Sequence, residues 1–560
     1  MPESPTSAQL DIAIVGGGVS GLYTAWRLLL DAKENGMAPP RVIVFESSDR
    51  VGGRLLTWLP AGPAAGLRAE LGGMRFFQQQ EMVWNLLIKL GFKEDIVDFY
   101  VGGNNLRLLL RGVSGPLETT EPAKRYMIDE SLRKLSSAAI LKSVIEAVLK
   151  ANQAVIDKYL GGKPPTTREQ WDMIKPYLSW RERPLWDVGF WNLLSELYNP
   201  ETYAFIADAF GYYSIAANWN AAEAMQSTSL DFTENPEYKT LSQGYSALPD
   251  ALAAQVEALG GQIALQTRLV SFQGAGSGAV NATFASGSNS FQVKAGSLVL
   301  GLPRRSLDLL APSPDFDPQG DPALKSLLES VTSTPAFKLF LFFEKRWWQS
   351  MGIDRGRSIC DLPLRQTYYM APDAYYEGKP APEFGVLMAS YDDQRAVEFW
   401  QGLIPPEDEW EEGREQLRGA LADLVANDPI ATDPDAVTEP PPNLHLATEE
   451  MVDHALEQLE LLQEVPPGSI ERPKVGAFAD WSFDPFGGGW NFWEPQIDVK
   501  QAMTDIKQPF GDLRAYVVGE AYSGVQGWVE GALTSAELVL EEHFGLKRPA
   551  WLPADYYLGW

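Results

Sequence analysis

The chain is poor in the side chains that do chemistry unaided. Its 560 residues contain one cysteine, Cys360, which excludes an internal disulfide and any thiolate metal cluster. The three histidines, His445, His454 and His543, are scattered, so neither a histidine-based triad nor a histidine-rich metal site is expected. No apolar run reaches the roughly 18 residues that cross a bilayer. The first residues, MPESPTSAQ, have neither the basic nor the apolar region of a secretory signal, so a cytoplasmic protein without a membrane partner is expected. Basic residues are in deficit as well: 46 Lys and Arg against 74 Asp and Glu give a net charge of −28, which repels nucleic acid and anionic lipid. What remains is an ordinary globular composition, 45% apolar and 21% charged, in a chain long enough for two or three cores. Chemistry in such a chain is expected to come from a bound cofactor.

A dinucleotide signature opens the chain. Ile12, Ile14 and Val15 read as a buried strand, and Leu22 to Leu30 as the helix after it. Between them stands Gly16-x-Gly18-x-x-Gly21. Gly16 permits the tight turn, Gly18 lets the backbone approach a pyrophosphate, and Gly21 lets the helix pack on the strand. Val19 and Ser20 fall at the helix N-terminus, whose free N–H groups and partial positive charge suit phosphate. A second strand, Arg41–Phe45, ends at Glu46, 25 residues past Gly21. A carboxylate at that tip can accept hydrogen bonds from a ribose, with Ser47 beside it.

Further along, Gly52-Gly53 would bring backbone close to a bulky ligand, and Arg54 can meet a pyrophosphate with two parallel donors. A Pro/Ala/Gly loop is expected over Pro60–Gly66. Apolar spacing predicts a helix within Ser131–Leu160, ended by Gly161-Gly162. Thr166 and Glu169 suggest a capping box opening the next helix. Leu248–Leu259 reads as a helix, and Gln262–Phe272, Phe337–Phe343, Phe384–Ser390 and Tyr516–Val518 as strands. Pro405–Glu412 and Asp428–Pro442, rich in proline and acid, read as loops or linkers. A last helix starts near Trp528.

In this order the blocks Gly16-x-Gly18-x-x-Gly21, Glu46, Val51-Gly52-Gly53-Arg54, Glu70 to Arg75, and Gly519-Glu520 through Gly527-Trp528-Val529 resemble the flavin-dependent amine oxidase family and, within it, the L-amino acid oxidases. The resemblance implies an α/β fold. A discontinuous Rossmann-like FAD-binding domain would take residues 9–60, 237–320 and 505–546. A mixed-sheet substrate-binding domain would take 61–120 and 321–504. A helical insertion would fill 121–236, and 547–560 would form a tail. It implies non-covalent FAD, since Cys360 is far from the segment where some relatives attach their flavin. The FAD-contacting positions would be Gly16, Gly18, Val19, Ser20, Gly21, Glu46, Ser47, Gly53, Arg54, Gly72, Gly73, Met74, Arg75, Leu269 (at the adenine position, where relatives usually carry Val), Gly519, Glu520, Gly527, Trp528 and Val529.

The same resemblance assigns the substrate side. Arg75 would bind a carboxylate, for which a planar guanidinium offers two donors, and Tyr391, beside Ser390, would hold the same group. Lys338, flanked by apolar residues, would hold a water near flavin N5 as the catalytic lysine. Trp490, Gly527, Trp528 and Trp219 would wall the pocket, and Glu494, among aromatics, could meet a basic side chain. The expected function is oxidative deamination of bulky or aromatic L-amino acids with dioxygen as acceptor, giving a 2-oxo acid, ammonia and hydrogen peroxide. Arginine or lysine oxidation, amine or polyamine oxidation, and a non-enzymatic binding protein on the same fold are the other readings. Some relatives place a histidine base on the insertion; this insertion has none. A homodimer is expected from the same resemblance.

Overall fold

The structure is a computed structural model and describes residues 9–60, 68–231, 237–370, 383–427 and 438–560. Most of the expected loop Pro60–Gly66 and residues 428–437 of the expected Asp428–Pro442 linker lie outside the described residues.

Leu10–Val15 is the middle of a seven-stranded sheet. It pairs in parallel with Val42–Phe45 on one side and with the last residues of Asn289–Leu300 on the other. Gln262–Ala264 extends the parallel layer beyond Val42–Phe45, and Ala515–Val517 joins Asn289–Leu300. Ile12, Ile14, Val42 and Val44 are buried because helices cover both faces. The helix Val19–Glu34 packs against Val529–Phe544, where Arg27 and Glu537 form a buried ion pair at 3.0 Å and Tyr23 donates to the same carboxylate at 2.6 Å. All five parallel strands end on the same side, which is where such sheets bind nucleotides.

One sequence expectation needs correction here. Gln262–Phe272 is not one strand but two, Gln262–Ala264 and Arg268–Gly274. Gln266 takes φ +51°, while Gln266 and Thr267 donate their N–H groups to the carbonyls of Ser48 and Glu46. The chain therefore leaves the parallel layer and turns into an antiparallel pair with Val280–Ser286.

A second sheet has eight strands, mixed in direction. Its centre is Ala336–Phe343, buried at every position and paired antiparallel with Gly385–Asp393 and Val475–Asp480. Gln366–Tyr369 and Gly356–Cys360 continue it to Arg107–Leu110. A small antiparallel sheet, Phe76–Phe77 with Tyr238–Leu241 and Ile96–Phe99, lies beside Arg75.

Between these lies a helical region. The single helix expected within Ser131–Leu160 is two helices, Ser137–Ala151 and Gln153–Leu160. The break is Asn152, whose amide donates to Val148 O and Ser179 O and accepts from Ser179 N. Gly161 ends the second helix in the left-handed conformation, φ +62°. The capping box stands one residue later than expected. Thr167 caps Gln170 N, and the Gln170 side chain reaches back to Thr166 N at 2.8 Å. In the expected loop Pro405–Glu412 a helix already begins at Trp410, with three acidic residues in the turn before it favouring the N-terminal dipole. No helix among the described residues is long and apolar enough to cross a membrane.

Candidate active site

A cavity of about 900 Å³ runs from the carboxyl ends of the parallel strands to the second sheet. Gly16, Gly18, Val19, Ser20, Glu46, Ser47, Gly53, Arg54, Leu269, Gly519 and Glu520 line it together. Gly18 is the residue before the helix Val19–Glu34; no side chain caps that helix and its first turn holds no acid. A Cβ on Gly18 would meet nothing within 4 Å, so the backbone there faces open space. A Cβ on Gly16, at φ +101°, would come 2.4 Å from Gly301 O, and one on Gly21 would come 2.0 Å from Gly16 O. Gly21 itself therefore serves the helix–strand contact and does not line the cavity. An uncapped helix end behind a glycine-only turn fits the pyrophosphate of a dinucleotide.

The charges at this end are satisfied within the protein. Glu46 accepts from Gly17 N at 2.6 Å and from Ser48 N and Oγ, both at 2.8 Å. Arg54 pairs with Glu520 at 2.8 Å and donates to Gly489 O. Glu520 also accepts from Asn491 N, Asn491 Nδ2 and Gly527 N at 2.8–3.0 Å. Residues 466 positions apart in sequence thus close one side of the cavity.

At the other end stands Arg75, buried yet lining the cavity with Gly73 and Met74. Its Nη1 donates to the Tyr368 hydroxyl at 3.0 Å and its Nη2 to the Tyr212 hydroxyl at 3.1 Å. The guanidinium lies 4.1 Å from the Tyr238 ring centre. Among the described residues no carboxylate lies within 4 Å of it. Burial pulls its pKa down, but the surrounding tyrosines outweigh this and raise it, so it stays a cation. Conversely, Arg75 and Arg357 hold the Tyr368 hydroxyl below the usual phenol range against the opposing effect of burial.

Tyr391 and Lys338 face each other across neighbouring strands. The Tyr391 ring lines the cavity, 5.5 Å from Tyr212, whereas Ser390 turns its hydroxyl to the Leu364 carbonyl. Lys338 is buried behind the wall. Its Nζ donates to Glu70 O at 2.8 Å and Gly72 O at 2.6 Å and sits 4.6 Å from the Tyr391 ring centre. Burial and the nearby Arg75 push its pKa down to about 7, with Glu70 opposing. Gly72 also stands behind the wall, where a Cβ would come 2.0 Å from Arg54 O.

Trp490, Gly527, Trp528, Val529 and Trp219 all line the cavity. Trp528 packs on Phe77 at 4.8 Å and Trp219 on Phe492 at 4.1 Å. Glu494 is not brought there: the strand Trp490–Trp493 ends one residue before it, and its N–H turns to Ser330 O at 2.9 Å. Trp481, in the same aromatic cluster of the sequence, is a core residue donating to Leu71 O. Cys360 is buried in the second sheet, away from the cavity lining.

Several residues of the site were not picked out by sequence reasoning. Tyr212, Ser214, Ile215, Phe492 and Gln526 line the cavity, and Tyr368 and Tyr238 contact Arg75. Glycine before Tyr212 is a helix-stop signal, but nothing local points the tyrosine at an arginine. His445 also lines the cavity, beside Trp410; burial pushes it down to about 4, so it is neutral.

Residues 19–441 match the model of the family described as flavin containing amine oxidoreductase. The chain is similar to aplysianin-A of Aplysia kurodai, 24% identical over 96% of this chain and 90% of the relative. Achacin of Lissachatina fulica is 25% identical, covering 96% and 94%. An L-amino-acid oxidase of Bungarus fasciatus is 23% identical, covering 95% and 86%. Among solved structures, putrescine oxidase bound to putrescine has a TM-score of 0.60 at 17% identity over 96% of this chain and 100% of that one, a likeness of fold. The cofactor is FAD; the glycine turn, Glu46, Arg54 and Glu520 line the cavity together. The chain belongs to the flavin containing amine oxidoreductases.

Proposed function

We propose that this protein is an oxidase of L-amino acids, favouring bulky or aromatic side chains. One observation carries the reading: a buried guanidinium, Arg75, stands at the far end of the nucleotide cavity with tyrosine hydroxyls around it and, among the described residues, no carboxylate within 4 Å. A buried cation is stable only when an anion or enough hydrogen bonds compensate it, and an amino acid brings that anion. An amine such as putrescine does not.

FAD bound in the cradle would accept a hydride from the substrate Cα and pass two electrons to dioxygen, giving hydrogen peroxide. The chain's own residues orient the reaction. Arg75 and Tyr391 bind the α-carboxylate. Trp528, Trp490 and Trp219 exclude water and pack the side chain. Lys338, with a pKa near neutrality, holds a water and can carry a proton without leaving its two carbonyl partners. The imine product then hydrolyses to a 2-oxo acid and ammonia. Since Glu494 stands away from the cavity, selectivity for arginine or lysine has no carboxylate from that residue to rest on.

The test is peroxide release from the twenty L-amino acids, their D-forms and amines such as phenethylamine, with wild type and Arg75→Met. Turnover of L-phenylalanine that Arg75→Met weakens, with no turnover of phenethylamine, is expected. Equal turnover of phenethylamine would move the assignment to an amine oxidase. A purified protein without flavin absorbance would move it to a binding protein.

A further inference from the structure

The Arg75 site takes its hydroxyls from two different parts of the chain. Tyr368 and Tyr391 come from the second sheet, and Tyr212 from the helical insertion, just after the helix Pro200–Phe210. The loop carrying Tyr212 is fixed to the sheet. Gly211 turns at φ +93° over the Gln366 side chain, leaving room for a Cβ only 3.0 Å from Gln366 Cγ. The Asp393 carboxylate accepts from Tyr213 N and Ser214 N, both at 2.8 Å.

The hydroxyl protons of Tyr368 and Tyr212 have different fates. Both oxygens accept from Arg75. Tyr368 then donates its own proton to Gln366 Oε1 at 3.2 Å, an atom that also accepts from Arg357 at 2.6 Å. Its proton is therefore committed inside the protein. No carbonyl or carboxylate among the described residues accepts the Tyr212 proton; a polar neighbour on that side is the Tyr391 hydroxyl. The Tyr212 ring lines the cavity and meets Tyr391 and Trp490 edge-on, at 5.5 and 6.3 Å. Its neighbours on that side are the Tyr391 and Tyr368 hydroxyls, weak phenol acceptors from which an anion on Arg75 would draw the proton.

We propose that Tyr212 is a substrate-binding residue whose hydroxyl donates to the substrate carboxylate, so that the helical insertion closes the carboxylate site, while Tyr368 and Gln366 act as positioning residues for Arg75. The proposal rests on the carboxylate reading given above. A carboxylate then receives donors from Arg75, Tyr391 and Tyr212, and recognition of the acid group depends on insertion and sheet being docked. A substrate without a carboxylate gains nothing from Tyr212.

The experiment compares binding of benzoate and benzyl alcohol to the purified holoenzyme by calorimetry, alongside KM and kcat for L-phenylalanine. A hydrogen bond to a charged group sets the expected scale: Tyr212→Phe weakens benzoate about 10- to 100-fold, leaves benzyl alcohol within about threefold, and raises KM more than it lowers kcat. Tyr368→Phe, which removes an acceptor but no free proton, weakens benzoate less. Unchanged benzoate affinity in Tyr212→Phe, or equal losses for both ligands, overturns the proposal. If Tyr212→Phe does not accumulate as folded protein, Asp393→Asn, which loosens the same loop, is read the same way: a loss confined to benzoate supports the proposal and equal losses overturn it. Wild type and Arg75→Met separate the two readings. If wild type ignores benzoate and Arg75→Met leaves KM unchanged, the carboxylate reading itself fails. If both behave as expected and Tyr212→Phe matches wild type, only the role of Tyr212 fails.

Discussion

The two ends of the cavity solve the burial of charge in opposite ways. At the nucleotide end Arg54 and Glu46 have partners before any ligand arrives: Arg54 pairs with Glu520, and Glu46 accepts from backbone and hydroxyl donors. The ligand there meets glycine backbone and an uncapped helix end. At the Arg75 end a buried guanidinium is held by tyrosine hydroxyls and aromatic rings, with no carboxylate among the described residues within 4 Å. The first end is built for stability and shape. The second holds a cation with hydroxyls and rings, at the place where the proposed carboxylate would dock. Substitutions at the two ends should therefore separate binding from folding.

Arg75→Met gives the largest effect. The lost charge-assisted pair is worth about 2–5 kcal/mol, so KM for L-phenylalanine should rise by about 30-fold or more, measured by peroxide release. The cost of burying the charge and its hydrogen bonds to Tyr368 and Tyr212 are removed together, so the melting temperature should change little. A large fall in melting temperature would show that Arg75 is structural and erase the contrast.

Arg54→Met should show the reverse pattern. It leaves Glu520 without its cation, costing about 1–3 kcal/mol of stability, and weakens flavin retention. Thermal melts and the flavin-to-protein absorbance ratio would measure both. An unchanged melt would mean that the three N–H donors on Glu520 suffice alone.

Lys338 sharpens the comparison through pH. Its folded pKa is near 7, while the unfolded side chain titrates near 10.4. Between those values the unfolded chain binds more protons, so this residue makes stability rise with pH from about 7 to about 10. Lys338→Met should flatten that rise, by on the order of 2 kcal/mol, in melts taken at pH 6.5 and 9.5. An identical pH dependence in the variant would place the ammonium in its ordinary range.

The smallest effect belongs to Glu494→Gln. Standing away from the cavity, it should leave KM for L-phenylalanine and L-lysine unchanged within about twofold. A selective loss on L-lysine would bring Glu494 back into the pocket.

The same contrast explains what could be read from the sequence. The nucleotide end was legible because backbone geometry forces its residues: a turn at φ +101° and a Cβ-free approach admit only glycine at Gly16 and Gly21, so their spacing is a signature. The substrate end was legible only at Arg75, which follows such a block. Tyr212 and Tyr368 lie 137 and 293 residues away from it in the chain, and tyrosine is an everyday core residue, so no local pattern marks them. The sequence leaves Tyr391 and Ser390 interchangeable; only the pleat of the folded strand, which sends neighbours to opposite faces, puts Tyr391 on the cavity and Ser390 toward Leu364 O. Elements failed where one polar contact decided them: Asn152 split a helix, and Gln266 with Thr267 split a strand, each through bonds to residues remote in sequence.

The strand Ala515–Val517 completes the parallel sheet, and Glu520 just after it closes the nucleotide end of the cavity. During synthesis, therefore, Gly16 to Gly21 leave the ribosome about 500 residues before Glu520. At 5–20 residues per second the delay is about 25–100 s. Closure of the cradle is in this sense a late event relative to the glycine turn, and until then Leu298–Leu300 lack one of their two neighbouring strands. A ribosome that stops short of Glu520 releases a chain with every other part of the cradle and no way to shut it.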